Sequence, residues 1–187
     1  MRAFFSDDQL LHQPRQFMRA GRLCEPTDVP ARAAVLQRAL DARGIELVAP
    51  PDYGRAPLET VHSPAYLDFL TSAFERWMAQ ATPTLEPGIE VLPNLSPYHS
   101  GKIDKTRRGP CPSGSVIAEA GYYLGDLSCP LGPHSWQSIL RSAHSAVAAA
   151  PAVGFQGAEV GNGLYSQATS VLGVSQGLHV AGAIHAQ

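Results

Sequence analysis

The groups in this chain whose types and spacing could do chemistry are its histidines, its cysteines, a glycine cluster and one basic cluster. His179 and His185 stand six residues apart. That suits neither a helical i,i+4 ligand pair nor a zinc knuckle shared with cysteine. Cys24, Cys111 and Cys129 are odd in number and widely separated, so they form neither a disulfide framework nor a CxxC metal knuckle. Gly157, Gly161 and Gly163 make no GxGxxG turn after a recognisable strand, which leaves phosphate binding without support. His62 precedes Ser63, and its plain role there is to fix a loop by hydrogen bonding rather than to act as a base. Lys102, Lys105, Arg107 and Arg108 form the basic cluster, relieved only by Asp104. A solvated loop is its plain reading, with an interface or ligand lip as the alternative.

The totals exclude several classes. The chain has 187 residues, is 44% hydrophobic and 16% charged, and carries a net charge of −2. One domain is expected at this length. Nothing pulls it toward nucleic acid or an anionic membrane. No apolar run approaches the ~18 residues of a membrane span. Asp7, Asp8 and Gln9 follow soon after Phe4-Phe5, so a secretory h-region is not expected. A cytoplasmic, reduced protein is the expectation.

The elements that must position these groups are legible in places. Arg2 to Phe5 predicts a short strand stopped by Ser6-Asp7-Asp8, and residues 9–26 have no clear period and read as loop. Thr27 or Asp28 can cap a helix with Pro30 near its first turn and Val35, Leu36, Ala39 and Leu40 on one apolar stripe. Gly44 ends that helix, and Ile45 to Val48 follows as a strand. Strand, helix, strand with short connections predicts an α/β fold with a parallel sheet. A second helix begins at Ser63-Pro64 and carries Leu67, Leu70, Phe74, Trp77 and Met78 at three- and four-residue spacing. Six prolines and four glycines between 81 and 118 exclude a long helix or a central strand there. Val116 to Tyr123 fits a strand or a short helix, and Leu124 to Pro133 a tight loop. Ser135 then caps a helix from Trp136 to about Ala150 with Ile139, Leu140, Ala143 and Val147 on its buried face.

Four segments carry a resemblance to a known family: Met1-Arg-Ala-Phe-Phe-Ser-Asp-Asp8, Val29-Pro-Ala-Arg32, Val61-His-Ser-Pro-Ala-Tyr-Leu-Asp-Phe-Leu70, and Gly121-Tyr-Tyr through Trp136. In order and spacing they resemble the N-terminal part of the zinc-dependent deacetylases of the histone deacetylase superfamily, most closely the acetylpolyamine amidohydrolase-like branch. The resemblance covers about 1–153. It implies an arginase/deacetylase-like α/β fold, incomplete here, with parallel strands and covering helices. It also implies a zinc site at the carboxyl ends of the strands, where the metal polarises an acetyl-amide carbonyl and activates water. A tyrosine would hold the oxyanion, and a histidine pair would act as general base and acid. Arg32 would lie near the interior channel. Residues 81–118 would narrow the entrance and help build a homo-oligomer.

Two departures qualify what the resemblance implies. The acidic rim residue that holds substrate falls on Ser128 by gapless alignment through Trp136, with Asp126 two residues earlier as the substitute. Where the family carries a Pro-Gly-His-His motif, this chain reads Leu164-Tyr-Ser-Gln-Ala-Thr-Ser-Val171, and from Ser142 onward Glu159 is the only Asp, Glu, Lys or Arg. Residues 154–187 are therefore expected to be an aberrant, non-family tail, the product of truncation or a frame shift. No catalytic residue, metal ligand or bound zinc is expected in this chain. Two functional readings follow. One is an amidohydrolase lineage acting on an acetylated small amine or lysine-like substrate, inactive as this chain. The other is a non-catalytic remnant or protein-interaction module. Neither involves nucleic acid or membrane.

Overall fold

A computed structural model describes residues 2–26, 29–92, 109–124 and 130–152 of the chain. Strand β1 (Arg2–Phe4) and strand β4 (Glu46–Val48) pair in parallel, with Arg2 opposite Glu46, Ala3 opposite Leu47 and Phe4 opposite Val48. Parallel neighbours need a long crossover, and helix α1 (Pro30–Asp41) supplies it. The α/β expectation is met: the described residues hold a parallel strand pair with helices packed around it.

Between β1 and α1 the structure differs from the expected loop. Ser6 caps a short 3-10 helix, Asp7–Leu11, its side chain accepting from the Asp8 amide. Strands β2 (Phe17–Arg19) and β3 (Arg22–Cys24) then form an antiparallel hairpin. Its two-residue turn places Ala20 at φ 49 and Gly21 at φ 78. Positive φ at both central residues matches the right-handed twist of the flanking strands, and Gly21 adopts it without strain. Three-residue strands are too short to display the period that would have announced them.

Helix α1 begins after Val29, which takes the N-cap position with no side-chain hydrogen bond. Thr27 and Asp28, the expected caps, lie outside the described residues. Gly44, at φ 64, turns the chain out of the helix as expected. The apolar stripe of α1 is covered only in part: Ala39 and Leu40 are half-buried, Val35 is 56% exposed, and no residue of α1 is buried.

The apolar core lies elsewhere. Helix α2 (Ala56–Glu59) leads into helix α3 (Pro64–Met78), where the Ser63 side chain accepts from the Tyr66 amide and Pro64 occupies the first turn. Tyr66, Leu67, Phe69, Leu70 and Ala73 are its buried face. Phe74 and Trp77 from the expected stripe pack against this core, while Met78 is exposed. Helix α4 (Val116–Tyr123) resolves the strand-or-helix alternative as helix and contributes Val116 and Ala120. Leu58, Val91, Leu124 and Leu131 close the cluster. Each fully buried Leu, Val or Phe contributes about 1.5–3 kcal/mol relative to exposure, so this cluster is the main anchor of the described fold.

Helix α5 (Ser135–Ala152) packs on the N-terminal segment. Of its expected apolar face, Ile139, Leu140 and Ala143 are half-buried and pack against the core, and Val147 is half-buried. A second face is buried more deeply: Ser135, Ser138, Ser142, His144 and Ser145, with Ala148. The serines recur at 135, 138, 142 and 145, the three- and four-residue spacing of one helix face. The expected site of the non-family tail, from about 154 on, lies outside the described residues.

Candidate functional site

Parallel strands β1 and β4 send their following segments out of the same edge of the sheet, the carboxyl end where open α/β sheets bind ligands. Asp8 follows β1 and Asp52 follows β4. The Arg141 guanidinium of α5 spans both, with Nε 3.1 Å from Asp8 Oδ2 and Nη1 3.4 Å from Asp52 Oδ2. His144, one helical turn further on, is fully buried; its Nε2 lies 2.8 Å from the Gly54 carbonyl, which can only accept. The edge of the Tyr53 ring packs on the same imidazole. The Gly54 amide donates to Asp52, and this bond holds the Asp52 carboxyl below its ordinary pKa. These contacts tie the loop after β4 to α5.

A second group of contacts involves the residues that flank 125–129 in the sequence. Asp126 and Ser128, the expected rim residues, lie outside the described residues. The chain enters that stretch from Leu124, which is buried at the end of α4 with its amide on the Ala120 carbonyl. It leaves through Pro130–Gly132. Leu131 exchanges two backbone hydrogen bonds with Val91, at 2.9 and 3.1 Å. The Gly132 amide donates to Ser135 Oγ at 2.8 Å, and the same oxygen lies 2.8 Å from His12 Nδ1. Buried Glu90 accepts from the amides of Arg15 and Gln16. Leu124 before the expected rim and Leu131 after it are thus both buried. Ser135 and His12 are not a nucleophile and its base, because Ser135 is only 3% exposed and substrate could not reach it.

The remaining expected residues divide clearly. Arg32 sits exposed on the first turn of α1. His62 is half-buried with its ring edge toward Tyr66, and burial holds its pKa below 6.5. Tyr123 accepts from the Cys111 amide and Tyr122 donates to the Gly109 carbonyl, so α4 grips the return of the long loop. Burial raises the Tyr123 pKa. The basic cluster at 102–108 lies outside the described residues. Sequence reasoning missed the polar contacts of Gln9, His12, Ser135 and His144. The serine spacing along α5 was the signal that could have found them.

No family model matches the chain. Individual proteins do. It is 38% identical over 153 residues to the acetylpolyamine amidohydrolase of Burkholderia pseudomallei, covering 82% of this chain and 41% of that protein. It is 34% identical over 158 residues to acetylpolyamine amidohydrolase 1 of Pseudomonas aeruginosa, covering 80% and 40%. The crystal structure of the acetylpolyamine aminohydrolase from Burkholderia pseudomallei superposes with a TM-score of 0.69 at 37% identity, over 82% of this chain and 41% of that one. The chain spans about two-fifths of the length of the relatives it matches. In sequence and in backbone alike, over about four-fifths of its length, the chain is similar to the acetylpolyamine amidohydrolases of the histone deacetylase superfamily.

Proposed function

We propose that this chain forms one wall of the entrance to an amidohydrolase site for acetylated amines, and that it does not by itself carry out the hydrolysis. The observation that supports the first half is the anchoring of both ends of residues 125–129, by Leu124 on one side and by Leu131 and Gly132 on the other. Such anchoring is what a rim bearing Asp126 or Ser128 needs in order to orient a substrate. Arg32 would face the channel, and residues 81–118 would narrow the mouth and contact a second copy. The substrate is an acetylated small amine or an acetyl-lysine-like group. A fully charged polyamine is disfavoured by Lys102, Lys105, Arg107 and Arg108, since each close like-charge pair costs about 1 kcal/mol even in water.

The second half rests on what the residues can hold. The family resemblance implies zinc, but among the described residues no three His, Cys, Asp or Glu side chains converge on a possible metal position. None of the seven histidines is adjacent to another in the sequence, so no step is derived through a metal. Among the described residues no helix is long and apolar enough to cross a membrane, and a cytoplasmic location is proposed with the rest. Zinc content and deacetylation of acetylputrescine and of an acetyl-lysine peptide, measured on the purified chain, test this. The expected result is neither stoichiometric zinc nor turnover. About one tightly held zinc per chain with turnover would overturn it.

One observation favours the interaction-module reading: Val35 and Leu36 of α1 are exposed. Such a face fits a role in contacting more protein.

A further inference from the structure

We propose that His144 is a proton-operated latch: taking up a proton at Nδ1, it draws the loop that follows β4 onto α5. Hydrogen bonding fixes the tautomer of the neutral ring. Nε2 lies 2.8 Å from the Gly54 carbonyl, which can only accept, so the hydrogen sits on Nε2 and Nδ1 is a bare acceptor. His144 is fully buried, and among the described residues its Nδ1 has no hydrogen-bond partner. An orphaned buried acceptor is costly. Asp52 Oδ1 faces it at 3.8 Å, beyond hydrogen-bond length. The neutral imidazole therefore holds the loop by one nitrogen and is penalised at the other.

Protonation reverses this. Nδ1 becomes a donor facing a carboxylate, and the bond from Nε2 to the Gly54 carbonyl becomes charge-assisted. The Gly54 amide, 2.8 Å from Asp52 Oδ1, holds that carboxyl below its ordinary pKa with help from Arg141, so it stays ionised as the pH falls. The Asp52 side chain is 61% exposed, and a small rotation of it closes the gap without moving the helix. Among the described residues the groups that face the imidazole are Asp52 and Tyr53 from the loop and Arg141 from one turn earlier on α5. Asp8, after β1, is paired with Arg141. Burial opposes a charge on the ring. Against that, two carboxylates share one guanidinium here, and a second cation balances the cluster. At its far end the loop is tied to the core, because Arg55 donates to Asp68 Oδ1 and to the Pro64 carbonyl at the start of α3. The latch thus sets how firmly α5 is joined to α3.

Imidazole nitrogen NMR on the full chain, followed with pH, tests the latch. At high pH His144 is expected as the Nε2–H tautomer with a bare Nδ1, and on acidification Nδ1 takes the proton while the chain stays folded. Across the same step the hydrogen-exchange protection factor of the Gly54 amide should rise about tenfold, the effect of about one added hydrogen bond. Protection within α3 stays level. Asp52→Asn keeps an acceptor for the Gly54 amide but removes the charge. His144→Gln keeps a donor for the Gly54 carbonyl but takes up no proton. The step in protection is expected to vanish in both. If His144→Gln fails to fold, Asp52→Asn, at an exposed side chain, decides alone. The proposal is overturned if His144 takes up no proton before the chain unfolds, if protection at Gly54 falls on acidification, or if the step persists in either variant. None of these outcomes touches the entrance reading above, which zinc content and turnover decide.

Discussion

Between α3 and α4 the buried side chains are Tyr66, Leu67, Phe69, Ala73, Val116 and Ala120, whereas between α5 and the N-terminal segment they are Gln9, His12, Ser135, Ser138 and Ser145. The two contacts hold the fold by different chemistry. Apolar burial is non-directional and tolerates changes of shape as long as volume is kept. A buried hydrogen-bonded seam is directional: it fixes one register and is penalised when either partner is lost. The apolar side supplies most of the cohesion of the fold. The polar side determines where α5 sits against the first residues of the chain.

The largest expected effect lies on the apolar side. Phe69 is 1% exposed at the centre of the α3 face, and Phe69→Ala should lose about 3–5 kcal/mol in chemical denaturation. The volume-conserving Leu67→Met should lose less than about 1.5 kcal/mol, although Leu67 is also fully buried. Equal losses for the two would show that this contact depends on shape rather than on buried area, which would break the comparison at its apolar end.

On the polar side a much smaller deletion should register. Ser138 Oγ donates to the Gln9 carbonyl at 2.9 Å, and both residues are buried. Ser138→Ala removes one oxygen but strands that carbonyl, so a loss of about 1–3 kcal/mol is expected. The same denaturation experiment reads it. A loss of only a few tenths would mean that the carbonyl finds water, and that the seam is wetter than its burial implies.

The contrast also explains what could be read from the sequence. Ser63-Pro64 and the α3 periodicity announced that helix, and Gly44 its predecessor's end, because caps and breakers act through local backbone chemistry. The β1–α1–β4 unit followed from the order of its parts. The β2–β3 hairpin did not, because its strands carry too few residues to show a period. The face of α5 was legible only in part: Ile139, Leu140 and Ala143 pack against the apolar core as their spacing suggests, but the serine face that bonds to Gln9 and His12 was not anticipated. For the candidate site, the serine spacing was visible, but a partner from 123 positions away in the chain, His12 for Ser135, was not. Contacts at that separation are set by the tertiary fold, and no local pattern encodes them.

Helix α1 belongs to neither type of contact, and it offers the smallest and most discriminating test. Val35 is 56% and Leu36 38% exposed, so within the described fold Val35→Ser with Leu36→Ser should change the unfolding free energy by no more than about 0.5 kcal/mol per site. The same stripe is a patch that water disfavours, and the paired change should reduce self-association in sedimentation while the unfolding midpoint stays put. That pair of outcomes identifies α1 as a contact surface between molecules. If unfolding instead loses well over 1 kcal/mol, the stripe is covered within the molecule in solution, and α1 belongs with α3 on the apolar side. If neither quantity moves, the stripe contributes nothing, and the interaction-module reading loses the observation that favours it.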